Sequence, residues 1–155
     1  MIGYKPLVKF RLWHLPARAI TGAFILNSGI NKLRSDDEEM HKGVHGMAST
    51  AYPQFAAIEP RLFTKALGAA EIGLGGALLA PFISPGVAGV GLSAFSAGLL
   101  GLYLRIPGMT VDGIRPSQQG TALAKDSWLL AIGLGLMLDR ASNAVRDAVP
   151  VPSRS

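Results

Sequence analysis

The chain contains no cysteine. It therefore forms no disulfide, performs no thiol chemistry of its own and ligates no iron–sulfur cluster. Charge is also scarce. Only 16% of residues are charged, against roughly 25% in a soluble domain. The histidines are His14, His41 and His45, and none is central in an apolar run, which argues against a bis-histidine haem held between helices. No strand pattern precedes a phosphate-cradling glycine loop. The run Gly73-Leu74-Gly75-Gly76 lies inside an apolar stretch and reads as packing. The net charge of +5 is scattered around apolar runs. Without a basic stripe, nucleic acid is not an expected partner.

What is present is apolar. Hydrophobic residues make up 49% of the 155, and there are 19 glycines. Mean hydropathy is +0.33. This composition predicts an all-α integral membrane protein of one domain, with the lipid bilayer as its first partner. Four apolar segments emerge, at about 15–33, 63–83, 86–104 and 121–138. Each supplies roughly the 17–25 residues that cross a hydrocarbon core. The expected architecture is a four-helix transmembrane bundle over 15–138, with a basic segment at 1–14, a charged loop at 34–62 and a tail at 139–155. The fourth segment is the weakest, because Lys125 and Asp126 interrupt it. The first apolar run lacks a small-residue cleavage pattern and reads as a retained helix.

Small residues recur every four positions in two segments. Ala69, Gly73 and Ala77 form one such stripe, and Gly89, Ser93, Ala97 and Gly101 another. Both are expected to be helix-packing faces. Trp13, Tyr103 and Trp128 fall near segment ends, as an aromatic belt would. Four spans put both termini on one side. The dense basic residues Lys5, Lys9, Arg11 and Arg18 favour the cytoplasm for that side.

Glu71 is the most informative residue, a carboxylate within an apolar helix. Held from water, it costs several kcal/mol unless protonated, paired or facing a wet cavity. The topology sends Lys32, Glu71, Arg105, Lys125 and Asp126 toward one membrane face. Glu71 lies six residues past Lys65, so about 9 Å deeper, within reach of the long Lys32 side chain. The expected cluster is Lys32 with Glu71, Asp126 as second carboxylate, and Asn27 and Asn31 as hydrogen-bond partners. It is either a structural ion-pair network or a proton-carrying or head-group-binding site. On the opposite side, Arg18 could pair with Asp139 as an interfacial anchor. In the loop, Glu38, His41 and His45 have helical spacing that could bind a divalent metal. A solvated acidic stretch explains them better, since Gly43 and Gly46 weaken a helix.

Arg18, then Gly29-Ile30-Asn31-Lys32-Leu33, then Glu71 followed by Gly73 and Gly76, then Lys125-Asp126 heading an apolar run, together resemble the DoxX/DoxD-like family of four-helix bacterial membrane proteins. The resemblance covers roughly Ala17 to Leu138, and 36–59 is longer than the family's usual first loop. It implies a multi-pass protein of the bacterial inner membrane tied to redox work. One branch of the family is similar to the membrane subunit of a thiosulfate:quinone oxidoreductase. Another is associated with membrane complexes that hold thiol-oxidative defence enzymes. Three functions stand open. The first is a non-catalytic accessory or scaffold subunit of an oxidoreductase or respiratory complex, with no cofactor of its own. The second is a quinone-binding subunit using Lys32, Glu71 and Asp126. The third is a small transporter or lipid-handling protein.

Overall fold

The structure is a computed structural model that describes residues 12–148, with side chains as far as Val145. Among these residues the protein is mostly helical. The order is α1 (His14–Arg34), α2 (Glu38–Ala51), a short 3-10 turn (Pro53–Phe55), α3 (Pro60–Leu79), α4 (Pro85–Arg105), a two-stranded hairpin of β1 (Thr110–Val111) and β2 (Arg115–Pro116), α5 (Thr121–Ala124) and α6 (Ser127–Ala148). The basic residues Lys5, Lys9 and Arg11 lie outside the described residues.

Local chemistry sets the helix ends. Glu59 caps α3, accepting from the backbone N–H groups of Arg61 and Leu62, and Pro60 occupies the first turn, where its missing N–H costs nothing. Ser84 and Pro85 start α4 the same way. Asp37 caps α2 by accepting from the N–H groups of Glu39 and Met40. Ile106, which precedes Pro107, is extended and ends α4. The hairpin turns through Asp112 (φ 55°) and Gly113 (φ 80°).

Three helices are long and apolar enough to cross a membrane: α3, α4 and the stretch Thr121–Val145, which takes in most of α6. This reverses the expected ranking. The fourth segment qualifies despite Lys125 and Asp126, and the first does not. In α1, His14, Arg18, Thr21, Asn27, Ser28 and Asn31 dilute the apolar residues. The charged loop also differs from expectation. It folds as α2 despite Gly43 and Gly46, because the Asp37 cap and the acidic first turn of Glu38 and Glu39 favour the helix N-terminus. The expected tail is helical as far as Ala148.

The long helices form two antiparallel pairs. α1 packs on α3 and α4 on α6, while the two pairs meet much less extensively. In the first pair, glycines seven apart face each other. A Cβ on Gly29 would stand 2.6 Å from the Gly68 carbonyl oxygen, and one on Gly75 would stand 2.8 Å from that of Gly22. In the second pair, a Cβ on Gly89 would stand 2.7 Å from the Gly133 carbonyl oxygen. Backbones this close gain dispersion contacts along their whole crossing. The expected stripe of Ala69, Gly73 and Ala77 is not this interface. Ala69 and Gly73 are exposed, and the buried face of α3 is Thr64, Gly68, Glu71, Gly75 and Leu78. On α4, Gly89 and Ser93 do meet α6, but Ala97 is exposed and Gly101 meets Tyr52.

The pairs join through an apolar core of Ile25 and Leu78 from one and Ala88, Leu92 and Leu136 from the other. Helix α2 docks on α3 and α4. Tyr52 donates from its hydroxyl to the Gly98 carbonyl (2.9 Å), and the Arg105 guanidinium lies 4.8 Å over the Tyr52 ring. Trp13 and Trp128 are exposed, as a belt requires, whereas Tyr103 is buried and its hydroxyl donates to the Ile114 carbonyl of the hairpin.

Candidate functional site

Cations close the first helix pair at both ends. Arg18 is buried and donates to the carbonyls of Ala77, Leu78, Ala80 and Ile83 at 2.8–3.2 Å. It thus satisfies the orphan carbonyls that end α3. Reciprocally, Lys65 of α3 donates to the carbonyls of Leu33 and Ser35 that end α1. The anticipated Arg18–Asp139 pair does not form, because the guanidinium is committed to backbone. Asp139 lies 3.4 Å from His14 Nε2 instead.

Between these caps sits the buried ion pair. Lys32 Nζ donates to Glu71 Oε1 at 3.0 Å, to Glu71 Oε2 at 2.9 Å and to Ser28 Oγ at 2.7 Å. Glu71 is 4% exposed. The local reason is the stripe Phe24, Ser28, Lys32, spaced by four along α1, which faces Glu71 once Gly29 and Gly68 bring the two backbones together.

The pair lines a cavity of about 200 Å³ at the seam between the two helix pairs. Ser28, Lys32, Glu71 and Asp126 are its polar residues. Phe24, Ile25, Phe95, Leu99 and Leu129 supply the apolar wall. Asp126 arrives from the break between α5 and α6. Its backbone is bonded to Leu123 and Leu130, but its carboxyl makes no hydrogen bond or ion pair with the described residues.

The structure brings Lys32, Glu71 and Asp126 to one cavity and leaves Asn27 and Asn31 outside it. Both asparagines are exposed. Each precedes Ser28 or Lys32 by one residue, which rotates it about 100° away around the helix. Ser28 and the apolar wall are the parts missed from sequence. The four-residue step from Ser28 to Lys32 was the available signal for the serine.

Glu38, His41 and His45 do not converge on a metal. No group of three or more His, Asp or Glu residues that could hold an ion occurs among the described residues. Glu38 is exposed. His41 is fully buried on the α2 face that packs on α3, and neither ring nitrogen has a partner. His45 Nε2 lies 2.9 Å from the Phe55 carbonyl oxygen, and its ring meets Phe63 edge-on. These side chains fasten the loop helix to α3. Outside α1 and the three candidate membrane spans, two of the described groups have shifted pKa values. Glu59 is held below the usual carboxylate range by the backbone N–H groups of Arg61 and Leu62. Lys42 is raised by its hydrogen bond to Glu39.

No family model matches the chain, and neither a curated protein nor a solved structure matches it.

Proposed function

We propose that this chain is a multi-pass membrane subunit of an oxidoreductase and binds a quinone head group in the cavity between its two helix pairs. The observation that carries the reading is the composition of that cavity. An ion pair and a carboxyl group stand at the polar end of an apolar slot of about 200 Å³. That volume suits a single dione ring whose apolar tail lies in the bilayer. Proton-exchanging groups beside an apolar wall are what quinone chemistry requires. The bound quinone would supply the redox couple. The side chains of this protein hold and orient it and handle a proton.

The protein is an accessory subunit in this reading. It carries no cysteine, and the electrons come from a partner. The exposed acidic residues Asp36, Asp37, Glu38 and Glu39 at the start of α2 offer that partner a docking face. On this reading α1 is the fourth span. Its polar residues are served by α3, through the Arg18 and Lys65 caps and the Lys32–Glu71 pair. The DoxX-like pattern and the bacterial inner membrane, with cytoplasmic termini, belong to the same proposal.

The test is purification from native membranes in a mild detergent, with solvent extraction of bound quinone and mass spectrometry of co-purifying proteins. Quinone in near-stoichiometric amount together with a redox partner is expected. Glu71→Gln should keep the partner and retain less quinone. A wild-type chain that emerges with neither would sink the reading.

A further inference from the structure

Of the ionisable groups at the cavity, two have no free proton donor for a ligand's carbonyl oxygen. An ammonium has three donors, and Lys32 spends all of them on Ser28 Oγ and the two oxygens of Glu71. Both Glu71 oxygens accept from that one ammonium, and the formal charges of the pair cancel. Asp126 is different. It lines the same cavity, and its carboxyl has no hydrogen bond or ion pair with a described residue. The other groups that could influence it are few. α1 contributes Lys32, α3 contributes Glu71, and α4 contributes only the apolar Phe95 and Leu99. The adjacent Lys125 is exposed.

We infer that Asp126 is the residue that meets the ligand's oxygen and exchanges a proton with it, while Lys32, Glu71 and Ser28 form a positioning unit that shapes the slot. This rests on the quinone reading and assigns the work within it. The protonated Asp126 carboxyl donates to one carbonyl oxygen of the bound dione. As two electrons arrive from an electron-donating subunit, Asp126 gives up that proton. Its O–H bond breaks, an O–H bond forms on the former carbonyl oxygen, and the carbonyl π bond is lost. The second oxygen takes its proton from water. Asp126 is recharged from water on the side where Lys125 is exposed.

The arrangement is asymmetric in a useful way. A carboxylate already bound to a lysine ammonium has no proton to donate to a carbonyl oxygen, and moving it would break two charge-assisted hydrogen bonds. A carboxyl without a partner can change protonation state without disturbing the helix pair. It also stands on a break in the helix, between α5 and α6, and so is held by a different element from the ion pair.

The experiment uses the purified full chain, a short-tailed benzoquinone as probe, and infrared difference spectra recorded as an electrode reduces the bound quinone. Wild type should show loss of a protonated-carboxyl C=O band on reduction. The band should vanish in Asp126→Asn, shift in Asp126→Glu and persist in Glu71→Gln wherever that variant still holds the probe. Asp126→Ala should weaken benzoquinone binding about tenfold, as loss of one hydrogen bond would. If Asp126→Asn does not fold, the Asp126→Glu band shift decides alone. A band unchanged in both Asp126 variants overturns the assignment and leaves the quinone reading standing. Wild type that fails to bind benzoquinone overturns both.

Discussion

The two helix pairs cross in similar ways and are fastened by different chemistry. In the α4–α6 pair, Gly89 lies against Gly133, apolar residues such as Leu92 and Leu136 pack around it, and the polar links are an exposed Arg140–Ser84 hydrogen bond and a Ser93–Met137 contact. In the α1–α3 pair, two glycine contacts are joined by a buried ion pair and two reciprocal cation caps. Helix α4 is uniformly apolar and can pack against any small-faced neighbour. α1 is not, and its Arg18 and Lys32 are satisfied by α3 and the turn after it in one register. The lesson is that the less apolar helix obtains its place through specific bonds, and the cavity forms where those bonds meet the second pair.

The comparison is broken most severely at Glu71. Glu71→Leu leaves the Lys32 ammonium with only Ser28 and should cost about 3–5 kcal/mol of stability. The double change Lys32→Met, Glu71→Leu should recover most of it, measured as thermal midpoints in one detergent. If the single and double variants melt together, the pair is not what fastens α1.

Glycine substitutions come next and test whether both pairs depend on close approach. Gly29→Ala and Gly89→Ala each force a Cβ against a facing carbonyl, with an expected loss of about 1–3 kcal/mol. Gly73→Ala and Gly135→Ala meet nothing within 4 Å. They should be neutral or gain up to about 1 kcal/mol from helix propensity. Equal losses at all four positions would refute the assigned interfaces.

A smaller effect sharpens the contrast between fastened and unfastened polar groups. His41 is buried with both ring nitrogens unpartnered. His41→Leu removes that cost at similar volume and should raise stability by about 1 kcal/mol, read from the same melting curves. A clear loss would mean that the imidazole has a partner, such as an ordered water.

The smallest effect concerns the start of α3. The Glu59 carboxylate is held at a lowered pKa by two backbone N–H groups. A group whose folded pKa is depressed stabilises the fold above its unfolded pKa, and that contribution is lost as pH falls through the folded value. Protonation removes the charge that the N–H groups favour. Stability should therefore decline slightly on acidification below the ordinary carboxylate range, and Glu59→Gln should flatten that part of the profile. The same slope in both would show that another carboxylate is responsible.

Much of the helical plan was legible in the sequence. The positions of α1, α3 and α4 follow from apolar runs bounded by Pro60, Pro81, Pro85 and Pro107. The meeting of Lys32 and Glu71 follows from depth arithmetic along antiparallel neighbours. Three features were not legible. Small residues occupy two faces of α3, and only a partner helix with glycines at the same seven-residue spacing, Gly22 and Gly29, selects Gly68 and Gly75 over Ala69 and Gly73. Arg18 seeks carbonyls that become orphans only when α3 ends beside it. His41 read as part of a solvated acidic stretch, with a metal ligand as the lesser alternative, and is instead buried on the α2 face that packs on α3.

The sequence by itself determined where the chain is apolar, where helices must stop, and that one carboxylate within an apolar run needs a cation. Those are local properties, set by side-chain hydropathy, proline geometry and the cost of burying charge. The tertiary structure alone decided which face of each helix is inside and that the first pair is pinned at both ends. It also decided that Lys32 is saturated while Asp126 is left unpaired at the same cavity. Those depend on helix rotation and on distances between residues far apart in the chain, and a turn of about 100° is enough to carry Asn27 and Asn31 out of the site and Ser28 into it.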